Sequence, residues 1–263
     1  MRQAGYPNVG PLVIDRPVLR GYIDGLTLSN GTDADHDIDI ATGIASDSTG
    51  AYWLALTSGL TKQIDATWAA GDNAGGLFSG SVAADTTYHV FLIRKDSDGS
   101  IDAGFDTSVT ASNIPSGYTA YRRIGSLYTD SSSNWVVFTQ SGDRFILAAL
   151  STTDYADPGT SAFLHATAVP SGIFVEVEVD AVLRDVSPAA STYVILSSPF
   201  ATDTEPAPAN CTLAQASTAS NRMANTVYVT SNTSRQIRAR LSNSDGGIGL
   251  SLTTKSWRDW RSV

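Results

Sequence analysis

The sequence Gly21-Tyr22-Ile23-Asp24-Gly25-Leu26-Thr27-Leu28-Ser29-Asn30, followed by His36-Asp37-Ile38-Asp39-Ile40-Ala41-Thr42-Gly43, indicates the fold class. In both segments, leucine or isoleucine alternates with a polar residue. A period of two places the apolar side chains on one face of a β-strand and the polar side chains on the other. We therefore predict two short strands, Tyr22–Ser29 and Asp37–Thr42, which are joined by the polar run Asn30–His36.

Further segments along the chain follow the same pattern, with turn-forming residues between them. The clearest is Thr86–Lys95, which ends at the turn signal Asp96–Gly99 and returns as Ile101–Phe105, the pattern of a β-hairpin. Short strands separated by turns are typical of a β-sandwich or a jelly roll. We predict a mostly-β protein with an extended N-terminal arm (residues 1–20) and two sandwich-like or jelly-roll-like domains, residues 21–150 and 151–263.

One segment departs from the strand pattern. Thr61 is a suitable helix N-cap, Ile64 and Trp68 are four residues apart, and Gly71 stands where helices often end. Residues spaced by four lie on one face of a helix. The sequence therefore predicts one short helix, at about residues 61–70, that packs on the sheet through Trp68.

The predicted arm contains Pro7, Pro11 and Pro17, which resist helix formation and favour an extended backbone. Between the prolines is an apolar group that is poorly placed in water, formed by Leu12, Val13 and Ile14. Two interpretations remain open at this point. The arm is either a disordered leader or a segment that docks on a partner subunit.

Composition excludes several classes of function. The 263-residue chain has a formal net charge of −9 and a pI of about 4.6, which argues against binding to nucleic acid or to an anionic membrane surface. No apolar run approaches the roughly 18 residues that span a bilayer, so we expect no membrane insertion. Cys211 is the single cysteine, which excludes a disulfide-stapled secreted domain. The N-terminus lacks the apolar core of a secretory signal, so we expect synthesis in a reducing cytoplasm.

Aspartates at every second position form the most chemically suggestive run, because alternating carboxylates in a loop can bind calcium. A helix–loop–helix calcium loop requires glycine and glutamate at the positions occupied here by Ile38 and Ile44. We favour a solvated or arginine-paired face for Asp33, Asp35, Asp37 and Asp39. The alternative is a structural calcium site formed by Asp33, Asp35 and Asp37, and we expect no other cofactor.

The sequence carries no catalytic signature, so we predict that the protein is not an enzyme. It has no Gly-x-Ser-x-Gly motif, and His36, His89 and His165 lack the spacing of metal ligands. Aromatic side chains near loops can instead stack on sugar rings. The candidates for receptor binding are Tyr155, Trp135, Trp257 and Trp260, although a contact between subunits is the favoured role for the C-terminal Trp257–Arg261 segment.

Several segments between about residues 20 and 146 match a known pattern in the same order. They are Arg20–Asn30, His36–Ala41, Asp47–Thr49, Leu60–Lys62, Trp68–Gly71, Gly75–Leu77, Tyr88–Ile93, Ser108, Pro115, Gly117–Thr119 and Arg122–Ser126. In these segments the chain resembles a domain that recurs in tail-fibre and related tail proteins of tailed bacteriophages and prophages. The resemblance implies a structural virion protein that forms a homotrimer. It supplies no catalytic residue and no defined receptor pocket.

Three functions follow as hypotheses. The first is a tail fibre or spike that binds a host-surface glycan without catalysis. The second is a head-fibre, decoration or fibre-adaptor protein with a purely architectural role, whose arm docks on other tail or capsid proteins of the phage. The third is a polysaccharide depolymerase. In each case we expect the protein to be made in the host cytoplasm and to act in the virion.

Overall fold

A computed structural model describes residues 18–186, 190–215 and 222–261. These residues form β-strands and no helix. The predicted arm residues Leu12, Val13 and Ile14 lie outside this part of the chain. The strands of the first half are β1 (Ile23–Gly25), β2 (Leu28–Asn30), β3 (Asp37–Ile40), β4 (Gly43–Ser46), β5 (Trp53–Leu56), β6 (Leu60–Thr67), β7 (Ala74–Leu77), β8 (Thr87–Lys95), β9 (Ile101–Asp106) and β10 (Tyr118–Tyr128).

The remaining strands belong to the second half. They are β11 (Phe138–Ser141), β12 (Arg144–Ala156), β13 (Phe163–Ala166), β14 (Glu176–Asp185), β15 (Thr192–Ser197), β16 (Leu213–Gln215), β17 (Arg222–Thr230), β18 (Gln236–Leu241) and β19 (Ile248–Arg258). No helix in the described ranges is long and apolar enough to cross a membrane.

The first half is built on a seven-stranded sheet in the order β10-β8-β9-β7-β6-β3-β2. The predicted hairpin of β8 and β9 is confirmed, with Val90 opposite Phe105. Most neighbouring strands are antiparallel, but β7 runs parallel to both β6 and β9. A second sheet, in the order β1-β4-β5, has three strands.

The opening sequence forms strands as predicted, with one correction. Leu28 on β2 pairs with Ile40 on β3 in an antiparallel register. The predicted single strand Tyr22–Ser29 is divided between two sheets, because Gly25 and Leu26 both have left-handed backbone conformations, with φ of 67° and 55°. The chain also approaches itself closely here. A Cβ atom on Gly25 would lie 2.5 Å from the carbonyl oxygen of Thr42.

The predicted helix at about residues 61–70 is wrong, because Leu60–Thr67 is strand β6. Pairing with β3 on one side and β7 on the other satisfies its backbone. Lys62 and Ile64, two residues apart, are both fully buried, which is the period of a strand. Trp68 lies beyond the end of β6, where its indole N–H donates to the carbonyl oxygen of Ala103 at 2.9 Å.

The second half is a sandwich of two sheets, which confirms the predicted fold class for this part of the chain. One sheet has the order β11-β12-β19-β14-β17 and the other the order β13-β18-β15-β16. Alternate residues of these strands enter the core, as in β18, where Ile237, Ala239 and Leu241 are fully buried. Buried residues of β14 and β19, in the other sheet, belong to the same core.

Buried apolar side chains from both halves form one continuous cluster. It extends from Leu26 and Leu28 to Leu250 and Leu252. Strand β12 passes through the predicted boundary at residues 150 and 151, and it pairs with both β11 and β19. The division into two domains stays a prediction. What the structure establishes is that the halves meet through apolar packing, and a groove lies on the surface at this junction.

Candidate functional site

A groove with a volume of about 370 Å³ lies where four segments of the chain meet. These segments are the loop after β9, strand β10, the residues before β14 and the residues after β19. Strands β9 and β10 belong to the seven-stranded sheet, and β14 and β19 belong to the five-stranded sheet. The groove is therefore positioned by the fold as a whole. Its lining consists of Val109, Gly172, Ile173, Phe174 and Trp260, with Arg123, Asp259 and Arg261.

The rim of the groove is aromatic and exposed. Trp260 is 43 % exposed and Phe174 is 52 % exposed. Phe200 is 63 % exposed, and its ring meets that of Phe174 edge-on, with the centroids 5.2 Å apart. Such neighbouring aromatic groups on a surface are typical of binding sites, because exposing them to water is unfavourable. A flat apolar ligand face, such as that of a sugar ring, would pack on them.

The groove is also lined by a buried ion pair. Arg123 of β10 donates to both carboxylate oxygens of Asp259, at 2.5 and 2.9 Å, and also to the hydroxyl of Ser126 at 2.8 Å. Arg123 is 7 % exposed and Asp259 is 1 % exposed. The planar guanidinium group matches a carboxylate in this two-bond arrangement. The pair therefore connects the first half of the chain to the residues that follow β19.

Two further arginines complete this connection. Arg261 donates from Nε and Nη2 to the same carboxylate oxygen of Asp143, at 3.1 and 3.0 Å. Its own carbonyl oxygen accepts a hydrogen bond of 2.6 Å from Nη2 of Arg122, which also donates to the carbonyl oxygen of Gly21 at 3.2 Å. Burial, together with the nearby charges of Arg123 and Arg261, lowers the pKa of Arg122.

A second depression, of about 250 Å³, adjoins the groove. The two share Val109 and Arg123. The lining of the second depression is more cationic, because it includes the guanidinium groups of Arg20 and Arg122 as well as Arg123. Its other lining residues are Gly21, Ser48, Thr110 and Tyr121. We call it the arginine depression.

Buried polar side chains form hydrogen bonds that hold Arg123 in place at the groove. His89 Nδ1 lies 2.8 Å from the hydroxyl of Ser126, which also accepts the hydrogen bond from Arg123. Burial, reinforced by the charge of Arg123, lowers the pKa of His89 to about 4, so the imidazole is neutral at pH 7. Ser126 is completely buried. Its hydroxyl is therefore inaccessible to a substrate. The hydrogen bonds of His89 and Ser126 instead orient the guanidinium group of Arg123.

The four predicted receptor-binding aromatics have different environments. Trp260 borders the groove. Tyr155 is partly buried, and its hydroxyl lies 2.8 Å from Nδ1 of His165. Trp135 and Trp257 are core residues, only 2 % and 1 % exposed. The prediction that these two side chains contact a receptor is therefore wrong.

The burial of the two core tryptophans follows from their ring contacts. Trp257 stacks on Phe145, with the ring centroids 5.1 Å apart and an angle of 4° between the planes. Trp135 meets Tyr88 and Phe105 at centroid distances of 5.8 and 5.3 Å. These contacts occupy the ring faces that a sugar would need.

The alternating aspartates make separate local contacts. Asp33 lies 3.0 Å from His36 Nδ1, and this hydrogen bond lowers the pKa of Asp33 and raises that of His36. Asp39 accepts a hydrogen bond from the Thr61 hydroxyl at 2.6 Å. For Asp37 the expectation is a solvated or arginine-paired side chain. The side chain is buried, so the solvated alternative is wrong there, and its carboxylate accepts a hydrogen bond from the backbone N–H of Asp33 at 3.3 Å. Within residues 18–186, 190–215 and 222–261, no group of three or more His, Cys, Asp or Glu is placed to hold a metal ion. Calcium binding by Asp33, Asp35 and Asp37 stays a prediction.

Sequence reasoning missed Val109, Phe174, the arginines and Asp259 as members of one site. The consecutive Arg122 and Arg123 carry a signal that could have identified part of it. Neighbouring residues in a strand point to opposite faces. Within an apolar strand, two adjacent arginines therefore predict a buried charge, which requires a carboxylate partner.

Comparisons with known proteins give little further information. No protein-family model and no curated protein matches the chain. A similarity search of solved structures finds the structure of infectious bursal disease virus Gx strain, with 9 % identity and a TM-score of 0.17. That match covers 90 % of this chain and 69 % of the viral chain. A TM-score this low supports no conclusion about fold or function.

Proposed function

We propose that this protein is a structural protein of a tailed-phage virion, a tail fibre or spike that binds a host-surface glycan in the groove and performs no chemistry. The virion assignment rests on the sequence resemblance between about residues 20 and 146. The binding role rests on one structural observation. Exposed Phe174 and Trp260 border a groove that also contains the buried Arg123–Asp259 pair.

This combination suits a sugar better than a purely apolar ligand. Sugar rings have apolar faces, which pack on aromatic side chains, and hydroxyl groups, which need hydrogen-bonding partners. The aromatic rim offers a surface on which the ring faces pack, and the charged groups in the groove offer hydrogen-bonding partners for the hydroxyl groups. The ligand pockets of proteins measure about 300–1,000 Å³, and the groove, at about 370 Å³, lies within this range.

The test is binding of fluorescently labelled full-length protein to candidate host cells, with and without periodate oxidation of the cell surface. Periodate cleaves sugar diols, so we expect binding to be lost after treatment. Trp260→Ala should weaken binding about tenfold or more, because burying an indole face contributes on the order of 1.5 kcal/mol.

The matched control is Tyr228→Ala, which removes an aromatic ring that is 57 % exposed on β17 and does not line the groove. It should bind cells as the unmodified protein does. Binding that survives periodate, or equal losses for the two variants, would refute a glycan site in the groove.

The homotrimer belongs to the same proposal and rests on the resemblance alone. Sedimentation at micromolar concentration should give three times the 27.7 kDa mass of the chain. A monomer under these conditions would contradict it.

An architectural role is the second candidate, and a different surface favours it. Val137, Ile146 and Leu150 are 45 %, 40 % and 56 % exposed where the chain passes from the β11 region into β12. Apolar groups there suit a contact with another virion protein. An adaptor or decoration protein should bind isolated tails or capsids but no bacterial cells, so the cell-binding assay distinguishes the two functions.

A further inference from the structure

We propose that the arginine depression binds an anionic group of the receptor, which makes the ligand an acidic saccharide bearing a carboxylate or a phosphate. The proposal rests on the proposed glycan-binding function and specifies its ligand. In this arrangement an uncharged sugar ring packs on Trp260 and Phe174, while the oxyanion lies beside Arg20 and Arg122.

The charges of the depression are unbalanced. Arg20, Arg122 and Arg123 all line it, and within the described ranges only Arg123 forms an ion pair with a carboxylate. Arg20 is exposed and unpaired there, and Arg122 donates only to carbonyl oxygens. The chain as a whole has a net charge of −9, so a local excess of guanidinium groups is contrary to its composition.

Buried hydrogen-bond donors without acceptors support the same conclusion. Nε of Arg122 and Nε of Arg123, two of the arginines that line the depression, have no hydrogen-bond partner among the described residues. Both side chains are at least nine-tenths buried, with 2 % and 7 % of their residue surface exposed. Buried donors are normally paired, and those left over commonly mark a missing acceptor. Because guanidinium groups bind carboxylates and phosphates through paired hydrogen bonds, an oxyanion is the ligand group that fits.

The sizes and positions of the two cavities favour one ligand that spans both. The arginine depression, at about 250 Å³, is the smaller and suits a single charged substituent. The groove is larger and has the aromatic rim. Val109 and Arg123 belong to both linings, so a saccharide on the rim places its neighbouring substituent next to the arginines.

The experiment uses the full-length protein on an array of bacterial surface polysaccharides that includes neutral, uronic-acid and phosphorylated members. We expect the bound polysaccharides to be anionic. Each is then measured again after reduction of its carboxyl groups and, separately, after removal of its phosphates. The treatment that weakens binding about tenfold or more identifies the anion, since a charge-assisted hydrogen bond is worth at least this factor.

Two charge reversals locate the site. Arg20→Glu places a negative charge in the depression, and Arg222→Glu makes the same change at an exposed arginine on β17 that lines neither cavity. Both variants alter the net charge equally. Arg20→Glu should weaken binding of the anionic polysaccharide about tenfold or more, and Arg222→Glu by less than twofold.

The possible outcomes separate this inference from the function on which it rests. Binding of neutral polysaccharides alone, or equal effects of the two reversals, would overturn the acidic ligand. The glycan-binding function would then still stand if Trp260→Ala weakened binding about tenfold or more. Binding to no polysaccharide on the array, together with periodate-resistant cell binding, would refute both the acidic ligand and the glycan-binding function.

Discussion

Replacing Asp259 by alanine should destabilise the whole protein, because it leaves Arg123 as a buried and unpaired charge. Arg123 loses two hydrogen bonds, of 2.5 and 2.9 Å, and retains only the one to Ser126. Both partners are more than nine-tenths buried, so water that enters the groove replaces the carboxylate only in part. Removing one partner of a buried ion pair typically costs about 3–5 kcal/mol. A domain of ordinary stability, about 5–15 kcal/mol, would lose about a fifth or more of it.

The assay is urea unfolding at pH 7, followed by tryptophan fluorescence. We expect a lower midpoint with an unchanged dependence on urea, which reports a loss of stability rather than a change of fold. The matched control is Asp203→Ala, which removes another Arg–Asp pair. There the aspartate side chain is 42 % exposed and lies 3.0 Å from Arg240. Exposed pairs contribute about 0–1 kcal/mol, so this variant should unfold nearly as the parent does.

A double variant, Arg123→Met with Asp259→Leu, tests the physical reason. Apolar residues of similar size often replace a buried ion pair without loss of stability. We therefore expect the double variant to recover most of the stability that Asp259→Ala loses. A loss below about 1 kcal/mol for Asp259→Ala would refute the buried unpaired charge as the cause. A double variant no more stable than the single one would refute it as well.

Three further predictions concern stability. Lys62→Met should cost about 3–5 kcal/mol in urea unfolding, because the buried ammonium group pairs with Asp102 at 2.9 Å and donates to the carbonyl oxygens of Ala69 and Gly71. Burial lowers the pKa of His165 to about 4 from an ordinary 6.5. The unfolded chain therefore binds a proton that the folded chain does not, and stability present above pH 6.5 is lost as the pH falls towards 4. Between pH 7 and pH 5 the unmodified protein should lose about 2 kcal/mol more than His165→Gln, and equal losses would contradict this. Gly104→Ala should cost about 1–3 kcal/mol or prevent folding, since its Cβ atom would lie 2.2 Å from the Phe78 ring and 2.6 Å from the carbonyl oxygen of Gly76. A thermal scan that matches the parent would show that the sheet accommodates the methyl group.

The sequence was informative where a property depends on near neighbours. Alternation of polar and apolar residues predicted β3 and the hairpin of β8 and β9, because strand periodicity depends only on which residues are two apart. The same reasoning failed at β6. The spacing of Ile64 and Trp68 fitted a helix, but pairing with two strands that lie elsewhere in the sequence decided the outcome. Local propensity is too small to resist that pairing, since most of the stability of an element comes from tertiary packing.

The candidate site shows the same contrast between properties that depend on near neighbours and properties that depend on distant contacts. By itself, the sequence determined the mostly-β class, the acidic composition and the supply of aromatic residues. It could not separate Trp257, which is buried against Phe145, from Trp260, which is exposed at the groove three residues later. Only the tertiary structure brings Val109, Phe174 and Trp260 to one surface and pairs Arg123 with Asp259. The physical reason is that burial and ion pairing depend on which sheet faces meet, and this is decided by contacts between residues far apart in the chain.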